Sequence, residues 1–318
     1  MSVHELNPRP VDDVPEFALT ALRRWATEKP LQIALRHRRH GDWKAWRWID
    51  IQRGVERAAA GLRQLGFSDT SRLALCGAFE PSLLILALAA RSLGGITLVI
   101  SAQSRGDVLQ RQVHLLRPDF AFVQRRETVA HWREADLHRY GPLQLFCAQA
   151  SKAGQDDGQV LPLSVLFSGP QEHASQGWSQ VAGESVVWVD EGSEWSAGLS
   201  HVLSRWLQGG EGFAFPETQE SASRDRREIA PTALLMSTVR AQQVADEIEA
   251  RLAPQGTWRR RLCDWSLVDP RRGLRRWLKS RVRHLLGFQR VTRIDTPTSA
   301  EHAPGRLLWL HDALERAA

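Results

Sequence analysis

Cysteine and tyrosine are scarce in this chain, and long apolar runs are missing. Cys76, Cys147 and Cys263 are the three cysteines in 318 residues. Far apart and odd in number, they offer neither a disulfide framework nor metal-ligand spacing, and they point to a reducing, cytoplasmic home. The longest apolar stretch, residues 83–90, is far too short to cross a bilayer. No N-terminal segment joins a basic start, an apolar run and a small-residue cleavage site, so no signal peptide is expected. His37, His40 and Cys147 lack metal-ligand spacing, and no internal repeat is present. A single tyrosine stands against 13 tryptophans, of which Trp43, Trp46 and Trp48 lie close together.

What remains is ordinary for a globular chain: 42% hydrophobic and 25% charged residues, with a net charge of +6. The positive excess is concentrated. From Trp258 to Arg293 there are twelve Lys/Arg against two Asp. Such a block suits anionic lipid, nucleic acid or an acidic ligand, or forms a solvated helix face.

Residues 17–27 carry apolar side chains at a helical period. Residues 32–37 and 43–49 read as the arms of a hairpin turning through 39–42. Asp50 is expected to N-cap a helix whose stripe Ile51, Val55, Ala58, Ala59, Leu62 and Leu65 ends at Gly66. Strand, helix, strand, helix, strand then follow at 72–76, 81–93, 96–100, 105–116 and 120–123. This alternation predicts a parallel α/β sheet with crossover helices. Residues 148–185, rich in Gln, Gly, Ser and Ala, read as a loop-rich linker with a strand-like centre at 161–167. Strands are expected again at 186–189, 212–215 and 232–236, and helices at 197–207, 241–252, 274–286 and 307–314. Residues 223–228 are polar and carry no periodic signal. The organisation is thus 1–147, a linker over 148–185, and a second α/β part over 186–318.

Several stretches resemble the AMP-forming acyl-CoA synthetases. Gly41, Trp43 and Trp48 are similar to that family's hairpin pattern G-x-W-x-x-x-x-W/Y, and Ala59, Gly61, Leu62, Leu65 and Gly66 to the helix end that follows it. Gly94 and Gly95 before residues 96–100 resemble its Gly-Gly turn and strand. Gly210, Phe215, Pro216 and Glu217 resemble the "F-P-E" strand of the long-chain branch, and Asp225, Arg227, Glu228, Pro231 and Thr232 its "D-x-R-E-x-x-P-T". The resemblance covers about residues 15–125 and 190–310 and implies an α/β fold. It identifies the N-terminal large domain of the adenylate-forming synthetases, a parallel sheet flanked by helices, here truncated.

The same resemblance shows which chemistry is missing. Acyl adenylation needs a Ser/Thr/Gly loop whose N–H groups and hydroxyls hold the ATP phosphates. The best candidate, residues 165–177, has one Ser-Gly pair (Ser168, Gly169) but no Thr pair and no Lys, and Glu172 brings negative charge. The family's magnesium-binding "Y-G-x-T-E", its ribose-gripping Asp and its catalytic Lys belong beyond Ala318. The sequence therefore reads as a degenerate, C-terminally truncated member that binds no cofactor and has no catalytic or metal residues. Other pairs carry no chemistry: His311 and Asp312 are adjacent and do not face each other on a helix. Ser200-His201 lacks a nucleophile elbow.

The basic region gives a candidate surface. Leu274, Trp277, Leu278, Val282, Leu285 and Leu286 repeat at helical spacing, with Arg271, Arg272, Arg275, Arg276, Lys279 and Arg283 around them. The residues Arg271, Arg272, Arg275, Arg276, Trp277, Lys279 and Arg283 are assigned to a membrane or partner surface, placing the chain in the cytoplasm or at the inner membrane face. The other reading packs the stripe on the domain and leaves the arginines in water. No groove-reading or stacking motif supports nucleic-acid binding. Three functions follow: a non-catalytic binding or regulatory protein tied to acyl metabolism, a half-enzyme completed by a separate chain, or a decaying product. The first implies a true synthetase or a second copy as partner, docked where an uncovered sheet edge is expected.

Overall fold

The computed structural model describes residues 14–136, 143–148, 160–167, 184–254, 256–268 and 273–296. Two compact units emerge, and they are interleaved along the chain. The first takes residues 1–34, 45–176 and 191–210; the second takes 35–44, 177–190 and 211–318. Consecutive blocks expected from sequence give way to this pattern because the N-terminal hairpin pairs with strands from the second half.

The elements in chain order begin with α1 (Ala18–Glu28), β1 (Ile33–Arg39), β2 (Asp42–Arg47), α2 (Trp48–Gln64), β3 (Arg72–Cys76), α3 (Pro81–Ser92), β4 (Ile96–Val99), α4 (Gly106–Leu116), β5 (Phe120–Val123), α5 (Arg126–Asp136), β6 (Gln144–Cys147) and β7 (Val160–Pro162). A 3₁₀ turn, Leu163–Phe167, follows. The rest are β8 (Val186–Trp188), α6 (Gly198–Gly209), β9 (Gly212–Phe215), α7 (Ala222–Ile229), β10 (Ala233–Leu235), α8 (Thr238–Arg251), α9 (Trp258–Val268), α10 (Gly273–Leu286) and β11 (Arg293–Asp295).

In the first unit the described strands form a parallel sheet, β4-β3-β5-β6-β7. Its strands are near-continuous apolar runs, as strands covered on both faces must be. Val113, Trp132, Leu109 and Val129 from α4 and α5 close one side over Ala74, Ala121 and Val123. Residues 83–90 of α3 are buried all round, so the longest apolar run is a core helix packed on α2. Three indoles stack in the same unit: Trp25 on Trp48 at 6.0 Å and Trp48 on Trp206 at 5.0 Å. Two of them are satisfied by backbone, Trp25 Nε1 donating to Leu207 O at 2.6 Å and Trp206 Nε1 to Ala34 O at 3.2 Å.

The second unit carries the sheet β11-β10-β8-β9-β1-β2. From β11 to β1 its ladders are parallel. The hairpin turns tightly at His40 and Gly41, with φ of 53° and 78°. Two successive positive φ values match the twist of the flanking strands. Trp188, Leu234, Met236, Val244, Ile248 and Phe288 form the centre of its core.

Several sequence expectations change at element ends. The helix after the hairpin starts at Trp48, so Asp50 is its third residue. There its carboxylate accepts the Arg47 amide at 3.0 Å, the returning half of a capping box. The strand in the linker stops at Pro162 and tightens into the 3₁₀ turn, and β7 completes the first unit's sheet. Residues 223–228 lie inside α7. The helix expected at 307–314 lies outside the described residues.

Candidate functional site

In open parallel sheets, ligands bind beyond the carboxyl ends of the strands. In the first unit that edge is held by the chain itself. After β3, Gly77 N donates to Ser193 Oγ at 3.0 Å, and Ser193 N returns a bond to Gly77 O at 2.8 Å. The same hydroxyl accepts Ala102 N, also at 3.0 Å, so Ser193 clips the ends of β3 and β4 together. Gln124, just after β5, accepts Ala78 N at 2.6 Å and donates to Glu80 Oε2 at 2.8 Å. A β-bridge joins Ala78 to Gly192. A side chain at Gly192 would fall 2.4 Å from Gly77 O, so glycine alone permits this approach. Burial pushes the Cys76 thiol up to about 11, which removes it as a nucleophile at neutral pH.

The motif residues of the second unit are tied into its scaffold. Glu217 accepts His40 N at 2.6 Å and Gly41 N at 3.2 Å, fastening the hairpin turn. Asp225 is fully buried and accepts Glu217 N at 3.1 Å and Ser221 Oγ at 2.6 Å. Glu228 pairs with Arg38. Thr232 Oγ1 accepts Val186 N at 2.9 Å. Beside these, burial drives the His37 pKa down to about 4, helped by Arg39 and opposed by Glu217. The imidazole is therefore neutral at pH 7.

A buried ionic cluster sits where α8 meets the end of β8. Arg240 grips Asp190 through two bonds of 3.1 and 2.8 Å and reaches Glu247 at 2.7 Å. The Asp190 and Glu247 hydrogen bonds raise the Arg240 pKa against the opposing effect of burial. Beside them Arg226 is buried over the Phe288 ring at 4.4 Å, and burial lowers its pKa to about 10. Arg240 is thus paired with both carboxylates, whereas Arg226 meets Leu286 O at 3.5 Å and the Phe288 ring.

The basic helices divide differently from the sequence expectation. Arg271 and Arg272 lie outside the described residues, while Arg275, Arg276, Trp277, Lys279 and Arg283 are on α10. Trp277 is 63% exposed. Lys279, by contrast, is buried, and Arg283 turns inward to donate to Phe288 O at 3.1 and 2.9 Å and to Val291 O at 2.5 Å. Arg283 thereby holds the return of the chain towards β11. The stripe splits too: Leu286 is buried and Val282 packs on the core, whereas Leu274 and Leu285 face out. Sequence reading also missed the outward row Trp258, Leu262 and Trp265 on α9. Its i, i+4, i+7 spacing was the available signal.

Of the remaining candidates, Val165 lies in the 3₁₀ turn, and the phosphate-loop segment from Ser168 onward is outside the described residues, as are His311 and Asp312. His201 stacks on Trp195 at 5.6 Å, a packing role within α6. Among the described residues no group of three or more His, Cys, Asp or Glu is placed to hold a metal, and no helix is long and apolar enough to cross a membrane.

Residues 22–164 match the family model "AMP-binding enzyme". No curated protein sequence matches the chain. Among solved structures, the adenylation domain of a carboxylate reductase from Mycobacterium chelonae is similar at TM-score 0.63 and 16% identity, over 97% of this chain and 60% of that one. Acetoacetyl-CoA synthetase from Streptomyces lividans follows at TM-score 0.59 and 14% identity, over 95% and 50%. An acyl-CoA synthetase from Brucella canis gives 0.58 and 13%, over 75% and 51%. The chain thus spans about half to three-fifths of the length of these structures. In fold this chain is similar to the adenylate-forming acyl-CoA synthetases and ligases, and its residues 22–164 match the AMP-binding enzyme family.

Proposed function

We propose that this chain is a long-chain acyl-CoA synthetase-like protein that does not adenylate on its own and works as a binding or regulatory protein in acyl or lipid metabolism. One observation carries the reading. Residues 168–185, which join the 3₁₀ turn to β8 where the phosphate loop is expected, contain no Lys, no Arg and no Thr. A triphosphate carries several negative charges, and transfer of its adenylyl group, with pyrophosphate leaving, needs cations and aimed donors at the developing charge. This segment offers a carboxylate, Glu172, in their place. At the first unit's carboxyl edge, the amides of Gly77, Ala78 and Ala102 are already spent on Ser193 and Gln124, so these three offer no donor to a phosphate.

The test is fatty-acid-dependent ATP–pyrophosphate exchange with the purified chain, alone and mixed with proteins encoded by neighbouring genes. No exchange above a no-enzyme control is expected from the chain alone. Clear exchange by the chain alone would sink the proposal. Exchange that appears only on mixing, with a partner that is itself inactive, would establish a half-enzyme instead.

A further inference from the structure

We propose that the outward face of α9 and α10 is a docking surface for an anionic lipid membrane. The two helices pack on each other. On α9, Trp258 is 69% exposed and Leu262 and Trp265 are each 39% exposed. Successive helical residues are turned by about 100°, so these three fall on one narrow stripe. On α10, Leu274 and Trp277 are each 63% exposed and Leu285 is 54% exposed, again on one stripe. The opposite side of α10 is already spent on the core through Leu286 and Val282. The outer row is therefore a second apolar face, exposed among the described residues.

The charges around it choose the occupant. Arg281 lies within the α10 stripe, and Arg259 and Arg261 flank the α9 stripe; all three are exposed. The Arg259 guanidinium rests 5.5 Å from the Trp258 ring centre. The sequence from Trp258 to Arg293 holds two Asp against twelve Lys/Arg, of which Lys279 and Arg283 turn inward and Arg260 and Arg293 pair with Glu249 and Glu211. Indoles and leucines beside arginines suit the boundary between headgroups and acyl chains. There the rings and aliphatic side chains leave water while the guanidiniums meet phosphates. Nucleic acid would satisfy the arginines and offer the indoles a stacking partner, but it would leave Leu262, Leu274 and Leu285 in water.

The experiment is flotation of the full chain with vesicles of phosphatidylcholine alone or mixed with phosphatidylglycerol. The chain should float with the mixed vesicles, and pure phosphatidylcholine should capture at least about tenfold less, since each basic residue adds to attraction by an anionic surface. Leu274→Ser with Trp277→Ser should cut binding to the mixed vesicles by about tenfold or more through loss of apolar insertion. Arg259→Glu with Arg281→Glu should do the same by reversing charge. These side chains are exposed, so each variant should keep the wild-type circular dichroism and melting temperature. A paired variant, Arg23→Glu with Arg63→Glu on α1 and α2 of the other unit, should leave binding within about twofold. Equal capture by neutral vesicles, no capture by anionic ones, or full binding by either face variant would overturn the proposal. So would a dimer in sedimentation that Trp277→Ser breaks while vesicle binding stays nil, which would give the face to a second copy.

Discussion

His37 lies on a strand of the second sheet with its side chain 8% exposed and its pKa lowered to about 4. In the unfolded chain the imidazole titrates near its ordinary 6.5. Between these values the unfolded state binds a proton that the folded state refuses, so acid favours unfolding. Stability should hold above pH 6.5, fall as pH drops towards 4, and lose no more to this group below that. The full loss is about 3 kcal/mol at most. Urea unfolding of wild type and His37→Gln across this range would isolate the effect; parallel pH curves for the two proteins would refute it. A second residue-scale constraint is Gly210, which caps α6 at φ +63° with the Trp25 ring 2.5 Å from where a Cβ would sit. Gly210→Ala meets both a left-handed backbone and the end of the indole stack. A loss of about 2–3 kcal/mol in chemical denaturation is expected, and an unchanged midpoint would show that the stack yields freely.

At the level of elements, the Arg240–Asp190 pair links α8 to the end of β8, and both side chains are at least 95% buried. Removing one partner of such a pair strands a charge, whereas removing both does not. Arg240→Met should cost about 3–5 kcal/mol by leaving Asp190 alone, and adding Asp190→Asn should recover part of that loss. If the double variant is as unstable as the sum of the singles, the pair is not coupled as drawn. This cluster was invisible in sequence, because Asp190 and Arg240 are 50 positions apart and only the packing of α8 brings them together. Elements with an apolar period were legible: the run β3, α3, β4, α4, β5 falls within a residue or two of its expected place. The helix α7 was not. Its sequence is mostly charged, and it is buried through Asp225 and Arg226 as well as Ala222 and Ile229, so no apolar stripe marks it. The strands β6 and β11 were missed for a different reason, being three- or four-residue segments whose place depends on a neighbouring ladder. For the basic surface, periodicity named the helix but not its sides. Both faces of α10 are apolar, and only the fold shows that Leu286 turns in while Trp277 turns out.

For the whole molecule, the question is whether a fold shared with adenylate-forming enzymes still recognises nucleotide. A ligand that binds only the folded state stabilises it by RT ln(1 + [L]/Kd), about 2.7 kcal/mol at a concentration of 100 Kd. In a chain of this size that corresponds to a rise in melting temperature of several degrees. Millimolar magnesium–ATP should leave the melting temperature of this protein unmoved, because residues 168–185 supply no cation to the phosphates. The net charge of +6 complicates a naive reading, since any polyanion is attracted at low salt. Inorganic tripolyphosphate is therefore the matched control, and the comparison belongs near physiological ionic strength, where the screening length is about 8 Å. Equal small shifts from both would report charge alone. A shift of several degrees with ATP that tripolyphosphate does not reproduce would mean that adenine or ribose is still held. On the proposed reading, any loss would then lie in adenylyl transfer and not in nucleotide recognition, and the chain would become a candidate nucleotide sensor.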